Sequence, residues 1–423
     1  MKVWLVTVGE PLPTDSGGVR LLRVGILANM LSEAGHEVVW WNSTFDHSQK
    51  KHRASSNTDI QYKDNFLIKL LRGCGYSANI SLRRIWDHLL VARQFKKLSR
   101  NMSKPDVILC SLPTLELSWA TVSYGRKHGV PVILDIRDLW PDLFLEHVPA
   151  KLRFVAKLLL LPMKWMAIHS CRRATAITGC APDFVEWGLN LANRKANPTD
   201  KYFPFGYSVG KISATELESA KTKWQSKGIT RNRADLIACF FGTLGAQFDI
   251  ETVIESARQL KDKNASALFV ICGAGESLER YKNLAKDLDS VIFPGWVGAA
   301  DIKALMDISD VGLAPYYESV GFKGNIPNKT IEYLSAGLPV VSSLRGYFED
   351  FLREQQCGVS YAAGDSQALT AQLLSVLNNK SELSKMKNNA SSVFNERFKA
   401  ENVYGDMIKY LHKISLASGS INN

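Results

Sequence analysis

Short apolar runs alternate with segments of helical periodicity along both halves of the chain. In the first half, residues 20–34 carry apolar side chains at helical spacing, including Val24, Leu27 and Leu31, and Gly35 ends the segment. Apolar runs without that periodicity suit buried parallel strands. The order of strand, helix and strand predicts a doubly wound α/β sheet. The strands predicted in this half are 2–7, 37–41, 107–110, 130–136 and 174–178.

The second half repeats this pattern after a charged and polar stretch at 190–235, which we interpret as the region of the domain boundary. A chain of 423 residues fits two domains better than one core. We place the first domain at 1–205, the second at 206–395, and a final helix with its tail at 396–423, and we expect the tail after Leu416 to be disordered. The strands predicted here are 236–241, 267–272, 291–293, 311–315 and 340–342, and the helices are 249–260, 328–336, 366–377, 381–394 and 400–414.

The segment 316–342 reads YYESVGFKGNIPNKTIEYLSAGLPVVS and predicts a loop, a short helix and a strand. Asn328 suits the N-cap position, and Gly337 followed by Pro339 ends the helix. A helix N-terminus offers backbone N–H groups and the positive end of the peptide dipole, which together favour a phosphate. Lys329 would add a full positive charge at this end.

Glu332 lies one turn after Lys329, where a carboxylate accepts hydrogen bonds from sugar hydroxyls without meeting the phosphates. We interpret the whole segment as a site for a nucleoside diphosphate. The alternative is that a short helix ending in A-G-x-P belongs to an ordinary α/β domain with no ligand there.

The residues P-N-K-T-I-E-Y-L-S-A-G-L-P-V-V resemble the donor-binding motif of retaining glycosyltransferases of family 4. The resemblance implies the GT-B fold, in which two doubly wound Rossmann-like domains face an interdomain cleft. It implies that the nucleotide sugar binds the second domain and the acceptor the first. It assigns the ribose to Glu332 and the diphosphate to the preceding loop and helix start, for which we predict substrate binding by Lys323, Gly324, Asn325 and Asn328.

The motif departs from the family at Gly324, where a second Glu usually contacts the donor sugar. Variants with P-x-K and without that Glu resemble a branch that acts on polyprenyl-linked saccharides, such as bacterial polysaccharide and O-antigen glycosyltransferases. The departure removes the usual sugar contact and leaves the donor sugar unassigned.

A glycine-containing turn, Gly242 to Gly245, follows the predicted strand 236–241 and leads into a helix. Glycines let the backbone approach a ligand closely, and the spacing resembles the phosphate loop of the family. The Lys that the family commonly has just downstream is absent, so Lys329 and Lys323 would carry more of the leaving-group charge. By the same resemblance, the backbone around Val297 is expected to border the base.

The first loop contains Gly17, Gly18 and Arg20 but no G-x-G-x-x-G, so a dinucleotide site loses its main support. In the resembling family a Gly-Gly loop at this place faces the cleft. Gly17 and Gly18 are therefore predicted to approach substrate, and Arg20 to face a phosphate. The alternative is a flexible turn without a ligand.

The run D-I-R-D-L-W-P-D follows the predicted strand 130–136, at an edge where open α/β sheets place ligands. Family members often have His-Asp-Leu where this chain has Arg137, Asp138 and Leu139. We predict catalytic roles for Arg137 and Asp138, with Asp138 orienting or deprotonating an acceptor hydroxyl. A helix-capping role for Asp138 is the alternative, and His147 is a second candidate.

Charge is distributed unevenly: the net charge is +11, whereas residues 60–104 alone carry +8 and residues 151–173 carry +6. Both stretches combine Lys and Arg with apolar residues at helical spacing, and the second is predicted to contain one helix over 152–169. Such helices suit an anionic membrane surface, although a solvated basic face is the alternative. Aromatic RNA-reading motifs are absent, so we expect no nucleic-acid partner.

The remaining composition favours a protein of a reducing compartment without a metal site. Seven cysteines occur without a C-x-x-C pair, and the residues D-L-D at 287–289 are interpreted as coincidental. From the polar-flanked strand at its start we expect no signal segment, and no apolar span reaches the length of a bilayer crossing. We expect cytoplasmic localisation with peripheral attachment to the inner face of the membrane, and no cofactor besides the nucleotide-sugar substrate.

These inferences predict a metal-independent, retaining glycosyltransferase that uses a nucleotide sugar, with UDP-sugar favoured, and a saccharide acceptor linked to polyprenyl diphosphate. Lys329 is its predicted catalytic cation, because the leaving diphosphate needs a fixed positive charge. Two alternatives stay open. One is a sugar-nucleotide 2-epimerase of the same fold, and the other is a non-catalytic GT-B subunit that only binds.

Overall fold

The computed structural model describes residues 1–16, 20–210, 212–317 and 324–419. The chain divides into two compact units, of which the first is Met1–Gly206 with Ala400–Asn423 and the second is Tyr207–Lys399. Each unit has a parallel sheet flanked by helices. Three predicted site residues, Gly17, Gly18 and Lys323, lie outside the described residues.

The first unit is built on an eight-stranded sheet of order β10-β9-β8-β7-β1-β2-β6-β5, and a short antiparallel pair, β3-β4, stands apart from it. Every pairing in the large sheet is parallel except that of β5 with β6. The central strands are buried, as strands covered on both faces are. Strands β1 to β10 are Lys2–Val6, Glu37–Ser43, Phe45–Asp46, Lys51–His52, Thr58–Lys63, Phe66–Leu71, Val107–Leu112, Val132–Ile136, Ala176–Gly179 and Lys201–Tyr202.

The second unit contains a six-stranded, fully parallel sheet of order β13-β12-β11-β14-β15-β16. The chain moves outward in one direction from β11 and in the other direction from β14. Open α/β sheets bind ligands at such a reversal, outside the carboxyl ends of the two central strands. Strands β11 to β16 are Leu236–Phe241, Ala267–Cys272, Val291–Gly295, Val311–Ala314, Val340–Ser342 and Gly358–Ser360.

Helices cover both sheets, and the last one packs in the core of the first unit, where Tyr404, Met407 and Leu411 are buried. A π-helical turn, Phe394–Phe398, precedes it. Helices α1 to α15 are Arg23–Glu33, Leu82–Leu98, Leu115–His128, Arg153–Leu159, Leu161–Arg173, Pro182–Ala192, Ala214–Ser226, Ile250–Asp262, Leu278–Leu284, Ala299–Ile308, Asn328–Ser335, Tyr347–Gln355, Ser366–Asn378, Lys380–Val393 and Ala400–Gly419.

Three sequence predictions about elements were wrong. The polar stretch 190–235 contains α7, which begins with a capping box between Ser213 and Glu216. The helix predicted over 152–169 is divided into α4 and α5 at Leu160, two residues before Pro162, because a proline removes a backbone donor and restricts the residue before it. The tail predicted to be disordered after Leu416 is helical as far as Gly419.

Among the described residues, no single helix has the length and hydropathy needed to cross a bilayer. The stretches Ala150–Leu159 and Leu161–Arg173, bent by 60° relative to each other, meet the criteria of length and composition when taken as a pair.

Candidate functional site

Helix α11 begins at the carboxyl edge of the second sheet, directly after the loop that follows β14. Pro327 is its N-cap and Asn328 is the first helical residue, so the prediction of Asn328 as the cap was wrong by one position. Pro327 has no side chain that can cap the helix, and Asn328 is exposed. The N-terminus of α11 is thus left without a side-chain cap among the described residues.

Tyr333 fixes α11 against the sheet. Its hydroxyl donates to the carbonyl of Leu313 at 3.1 Å and lies 3.3 Å from the carbonyl of Cys239, which anchors the helix to β14 and β11. The ring occupies space that a side chain at Gly312 would fill, because a Cβ there would lie 2.3 Å from it. The small residue in β14 and the aromatic residue in α11 therefore set the position of the helix together.

Lys329 points inward from the first turn of α11. Its Nζ lies 3.5 Å from the ring centre of Phe240 and 3.8 Å from that of Phe248. The atom is buried and has no hydrogen-bond partner among the described residues. Burial lowers the pKa of this ammonium group well below its ordinary value, although the charge of Glu332 opposes the shift. The aromatic rings stabilise the cation only in part.

Gly242 brings the turn after β11 against Lys329. It adopts φ +155°, and a Cβ at this position would lie 2.7 Å from the Lys329 Nζ. The turn after β12 packs closely against the Gly242 turn, since a Cβ at Gly273 would lie 1.8 Å from the Gly242 carbonyl oxygen. Gly245, by contrast, has open space around its Cβ position. Two predicted site residues, Gly242 and Lys329, are thereby brought together at the reversal point of the sheet.

Glu332 follows Lys329 by three residues and is only 9% exposed. The Tyr207 hydroxyl donates to its Oε1 at 3.0 Å. The carboxylate borders a small pocket of about 130 Å³, whose wall also includes Lys303, Met306 and Ser335. This geometry leaves a carboxylate oriented at the edge of a concave site, and its contact with Tyr207 was not predicted from the sequence.

The helix after the glycine turn differs from the prediction. We expected the N-terminus of α8 to point at a ligand, but Asp249 occupies it: the carboxylate accepts from the Thr252 N–H at 3.1 Å and from the Thr252 hydroxyl at 2.6 Å. An acidic cap satisfies the free N–H groups and neutralises the dipole. The structure therefore gives this helix an internal anion in place of an open anion site.

The remaining predicted residues of this unit lie along the same edge. Val297 is buried just after β13, next to the exposed Trp296. Gly324 is buried, and the Asn325 side-chain oxygen accepts from the Ile326 N–H at 2.8 Å. Their substrate-binding roles remain predictions.

In the first unit, Arg137 pairs with Glu10, the residue four positions after β1. Glu10 also accepts from the N–H groups of Val24 at 3.0 Å and Gly25 at 3.4 Å, so it occupies the N-terminus of α1. Burial has the largest single effect and lowers the pKa of the Arg137 guanidinium, but the carboxylates of Glu10 and Asp135 together raise this pKa above its ordinary value. Arg137 is thus held by a carboxylate of its own chain.

Asp138 lies exposed at the rim, and neighbouring protein raises its pKa through lost hydration, against the positive charges of Arg137 and Arg84. Arg20 is also exposed. The side chain of His147 lies outside the described residues. The catalytic roles predicted for Arg137 and Asp138 remain predictions.

A buried ion pair of the first unit was missed from the sequence. Arg23 donates from Nε and Nη2 to the two oxygens of Asp135 at 2.9 and 3.0 Å, and neither side chain is exposed. Thr178 also donates to Asp135, and the carbonyls of Phe203 and Pro204 accept from Arg23. The only sequence signals were an Arg on the apolar side of α1 and an Asp within an apolar strand.

Groups of three or more His, Cys, Asp or Glu side chains placed to hold a metal ion do not occur among the described residues.

Comparison with known families gives a match over residues 222–393 to the family described as "Glycosyl transferases group 1". This segment contains the Gly242 turn, Lys329 and Glu332.

Two curated relatives come from bacterial polysaccharide synthesis. A protein named as a colanic acid biosynthesis glycosyltransferase, from Escherichia coli, is 25% identical over 167 residues, which cover 38% of this chain and 41% of the relative. A protein named as a teichuronic acid biosynthesis glycosyltransferase, from Bacillus subtilis, is 26% identical over 219 residues, half of each chain. The matched part of this chain thus spans only 41 to 50% of these relatives.

Solved structures match over nearly the whole chain at low identity. Sucrose-phosphate synthase from Thermosynechococcus elongatus has a TM-score of 0.72 at 14% identity and covers 98% of this chain and 99% of its own. Anabaena HepE in complex with UDP has a TM-score of 0.66 at 14% identity, with 98% and 100% covered. The chain therefore has the GT-B fold, and its residues 222–393 are similar to the glycosyl transferases group 1 family.

Proposed function

We propose that the protein is a retaining glycosyltransferase that moves a sugar from a nucleotide diphosphate sugar, with UDP-sugar favoured, to a lipid-linked saccharide in bacterial surface-polysaccharide synthesis. One observation carries the proposal. The buried Lys329 side chain, in the first turn of α11, adjoins the Gly242 turn at the reversal point of the second sheet, and within the described ranges no side chain caps this helix. A diphosphate would supply an anion to Lys329 and to the free N–H groups of the helix start.

Departure of the diphosphate builds negative charge as the sugar bond breaks. Lys329 and the backbone dipoles at α11 are fixed in place before reaction, so they stabilise this charge without a metal ion. Glu332, oriented by Tyr207, accepts from ribose hydroxyls. Anabaena HepE, which is similar to this chain in fold, has been solved with UDP and with UDP-glucose, and this supports a uridine donor.

Asp138 is assigned to the acceptor. Its raised pKa and exposed position suit a carboxylate that receives a hydrogen bond from the reacting hydroxyl. Arg137 is held by its ion pair with Glu10, and it thereby positions the backbone and the carboxylate of the adjacent Asp138. Retention of the anomeric configuration rests on the resemblance of the donor motif alone.

A thermal-shift screen tests the donor assignment. Full-length protein is heated with UDP, GDP, ADP and their sugars, and a selective ligand raises the melting temperature because it binds only the folded chain. We expect the largest shift with UDP-sugars, and its loss in Glu332→Ala. No shift with any nucleotide would overturn the proposal, and turnover of a UDP-sugar without acceptor would favour the epimerase.

Membrane attachment is assigned to a basic apolar face on α4 and α5. Its apolar members are exposed, and six Lys or Arg side chains surround them without an acidic residue in the same stretch. Exposed apolar side chains ringed by cations suit the surface of an anionic bilayer. The apolar members are Phe154, Val155, Leu158, Leu159, Leu161 and Trp165, and the basic ones are Lys151, Arg153, Lys157, Lys164, Arg172 and Arg173.

Flotation with anionic vesicles at low salt tests this attachment. We expect the wild-type chain to float with the vesicles and the variant Phe154→Ser/Leu158→Ser/Trp165→Ser to stay in the soluble fraction. All three side chains are more than half exposed, so the variant should fold. Equal flotation of both proteins would show that another surface binds the lipid.

A further inference from the structure

A pocket of about 540 Å³ lies in the first unit, between α2, the start of α3 and the α4–α5 pair. Pockets for small ligands commonly measure about 300 to 1,000 Å³. Its wall is mainly apolar, and Trp140, two residues after Asp138, contributes an aromatic face. The pocket thus lies beside the residues assigned to the acceptor, yet no prediction from the sequence used it.

The wall of this pocket includes a buried carboxylate, Glu116, that accepts no hydrogen bond from the described residues. Glu116 is 3% exposed, and both its oxygens are buried without a hydrogen-bond partner among the described residues. The Nδ1 atom of His88 lies 3.7 Å from the Glu116 Oε2, which is too far for a hydrogen bond. Buried carboxylates are normally paired. A ligand hydroxyl would supply the missing donor.

Arg84 provides a cation on the wall. Its guanidinium lies over the rings of Trp140 at 4.6 Å and Tyr76 at 5.4 Å, and Nη1 donates to the Asn79 carbonyl at 2.8 Å. Its Nε is buried and has no partner within the described part of the chain. A fixed guanidinium with a spare donor suits a phosphate oxygen.

The mouth of the pocket is apolar and exposed. Ile80, Leu82 and Leu159 border it, with 67%, 84% and 75% of their surfaces accessible. Leu159 also belongs to the basic apolar face. An apolar chain can therefore pass from a bilayer into the pocket while its contact with water stays small.

We propose that this pocket binds the lipid-proximal end of a polyprenyl-phosphate-linked sugar. A sugar hydroxyl donates to Glu116, the phosphate lies at Arg84, and the first isoprene units leave along Ile80, Leu82 and Leu159. Glu116 is buried more deeply than Arg84, so the sugar lies inside and the phosphate lies nearer the surface. The lipid tail then points outward. This assignment rests on the proposed function, which it deepens by locating the acceptor lipid.

Binding of farnesyl phosphate to the full-length chain, below its micelle concentration, tests the lipid part without any turnover. Calorimetry should give a dissociation constant that Ala156→Phe raises about tenfold or more, because the new ring fills the pocket. Ala150→Phe, an exposed alanine outside the pocket wall, is the matched control and should change binding less than about twofold. Equal effects of the two variants would overturn the assignment.

The polar contacts have separate tests. In the wild-type chain farnesyl phosphate should bind about tenfold more tightly than farnesol, and Arg84→Gln should abolish that difference. Attachment of one hexose to the farnesyl phosphate should tighten binding to the wild type but not to Glu116→Gln. A farnesol affinity equal to that of the phosphate in the wild type would overturn the role of Arg84.

The outcomes separate this assignment from the proposed function. A chain that responds to UDP-sugars in the thermal-shift screen but does not bind farnesyl phosphate keeps the glycosyltransferase function and loses the lipid pocket. A chain that binds farnesyl phosphate but no nucleotide keeps the pocket and loses the proposed transfer.

Discussion

The two units differ in how the helix N-termini and charged side chains at the carboxyl edges of their sheets are paired. In the first unit the N-terminus of α1 is occupied by Glu10, Glu10 is paired with Arg137, and Arg23 is paired with Asp135. In the second unit the N-terminus of α11 has no side-chain cap, and Lys329 has no hydrogen-bond partner in the described ranges. Among the described residues, the cations of the first edge are paired with carboxylates, whereas Lys329 at the second edge forms no hydrogen bond to an anion.

The difference shows why a helix N-terminus alone does not identify a ligand site. Helix α8 begins beside α11 in the same sheet, yet Asp249 occupies its N-terminus just as Glu10 occupies that of α1. Dipole and free N–H groups are common to all three helices. What distinguishes α11 is the buried lysine in its first turn, which finds no hydrogen-bond partner in the part of the chain that the structure describes, a costly arrangement that a bound diphosphate would relieve.

The largest effect should come from breaking the paired edge. Arg23→Met leaves Asp135 buried with Thr178 as its remaining side-chain donor, and we expect a loss of about 3 to 5 kcal/mol in the free energy of unfolding of the first unit. Pulse proteolysis in urea measures this value. At urea concentrations where the first unit of the variant is still folded, the second unit should still bind UDP.

The double variant Arg23→Met/Asp135→Leu separates charge from packing. Removal of both charges should recover much of the lost stability, because the uncompensated carboxylate is then gone. If the double variant is as unstable as Arg23→Met, the loss came from packing and from the carbonyl contacts of Arg23 with Phe203 and Pro204.

The unpaired edge should respond in the opposite way. Lys329→Met keeps the length of the side chain and removes its charge, so we expect kcat to fall about 10²- to 10³-fold through lost stabilisation of the leaving group. The melting temperature should stay the same or rise, since an unpartnered buried ammonium does not favour the folded state. Steady-state kinetics and a thermal scan measure the two effects.

Lys282→Met is the matched control, because Lys282 forms an exposed pair with Glu279 away from the site. It should change neither activity nor melting temperature measurably. A lower melting temperature for Lys329→Met with an unchanged kcat would assign Lys329 to the core instead of the reaction.

The contrast between the units also marks the limit of sequence reasoning. Strands β11, β12 and β15 were predicted with the observed bounds, because each is a short apolar run between polar or glycine-containing stretches. Helix α7 was missed because its residues are mostly polar and only Ala220 and Trp224 are buried, although its capping box was readable.

Long-range charge pairing was beyond the sequence pattern. Glu10 meets Arg137 across 127 positions, and Arg23 meets Asp135 across 112, so neither local spacing nor periodicity could pair them. Lys329 was correctly placed at the start of a helix, because the signals for a helix start are local. The rings of Phe240 and Phe248 around its Nζ were not foreseen, because they are distant in the sequence.

Glu332 offers a smaller test of the open edge. Glu332→Gln removes the charge that accepts from ribose, and we expect UDP to bind about 10- to 100-fold more weakly. Tyr207→Phe removes only the hydroxyl that orients the carboxylate and should weaken binding about three- to tenfold. Calorimetry with UDP measures both, and a larger loss in Tyr207→Phe than in Glu332→Gln would contradict a direct contact of the carboxylate with the nucleotide.

The smallest effect concerns protons. Burial lowers the Lys329 pKa in the free protein, so the ammonium loses its proton at pH values where an ordinary lysine stays charged, whereas a bound diphosphate favours the charged form and raises that pKa. UDP binding should therefore take up a fraction of a proton, at most about one, between the lowered pKa and the ordinary value. By the same linkage, the free protein should gain stability as pH rises through this window, since the unfolded chain then binds more protons.

Calorimetry of UDP binding in two buffers of different ionisation enthalpy measures the uptake. Glu332→Gln should retain it and Lys329→Met should lose it, because the proton resides on the lysine. Tight UDP binding without proton uptake across the alkaline range would mean that Lys329 does not sense the diphosphate. The unpaired state of Lys329 would then have no effect on UDP binding.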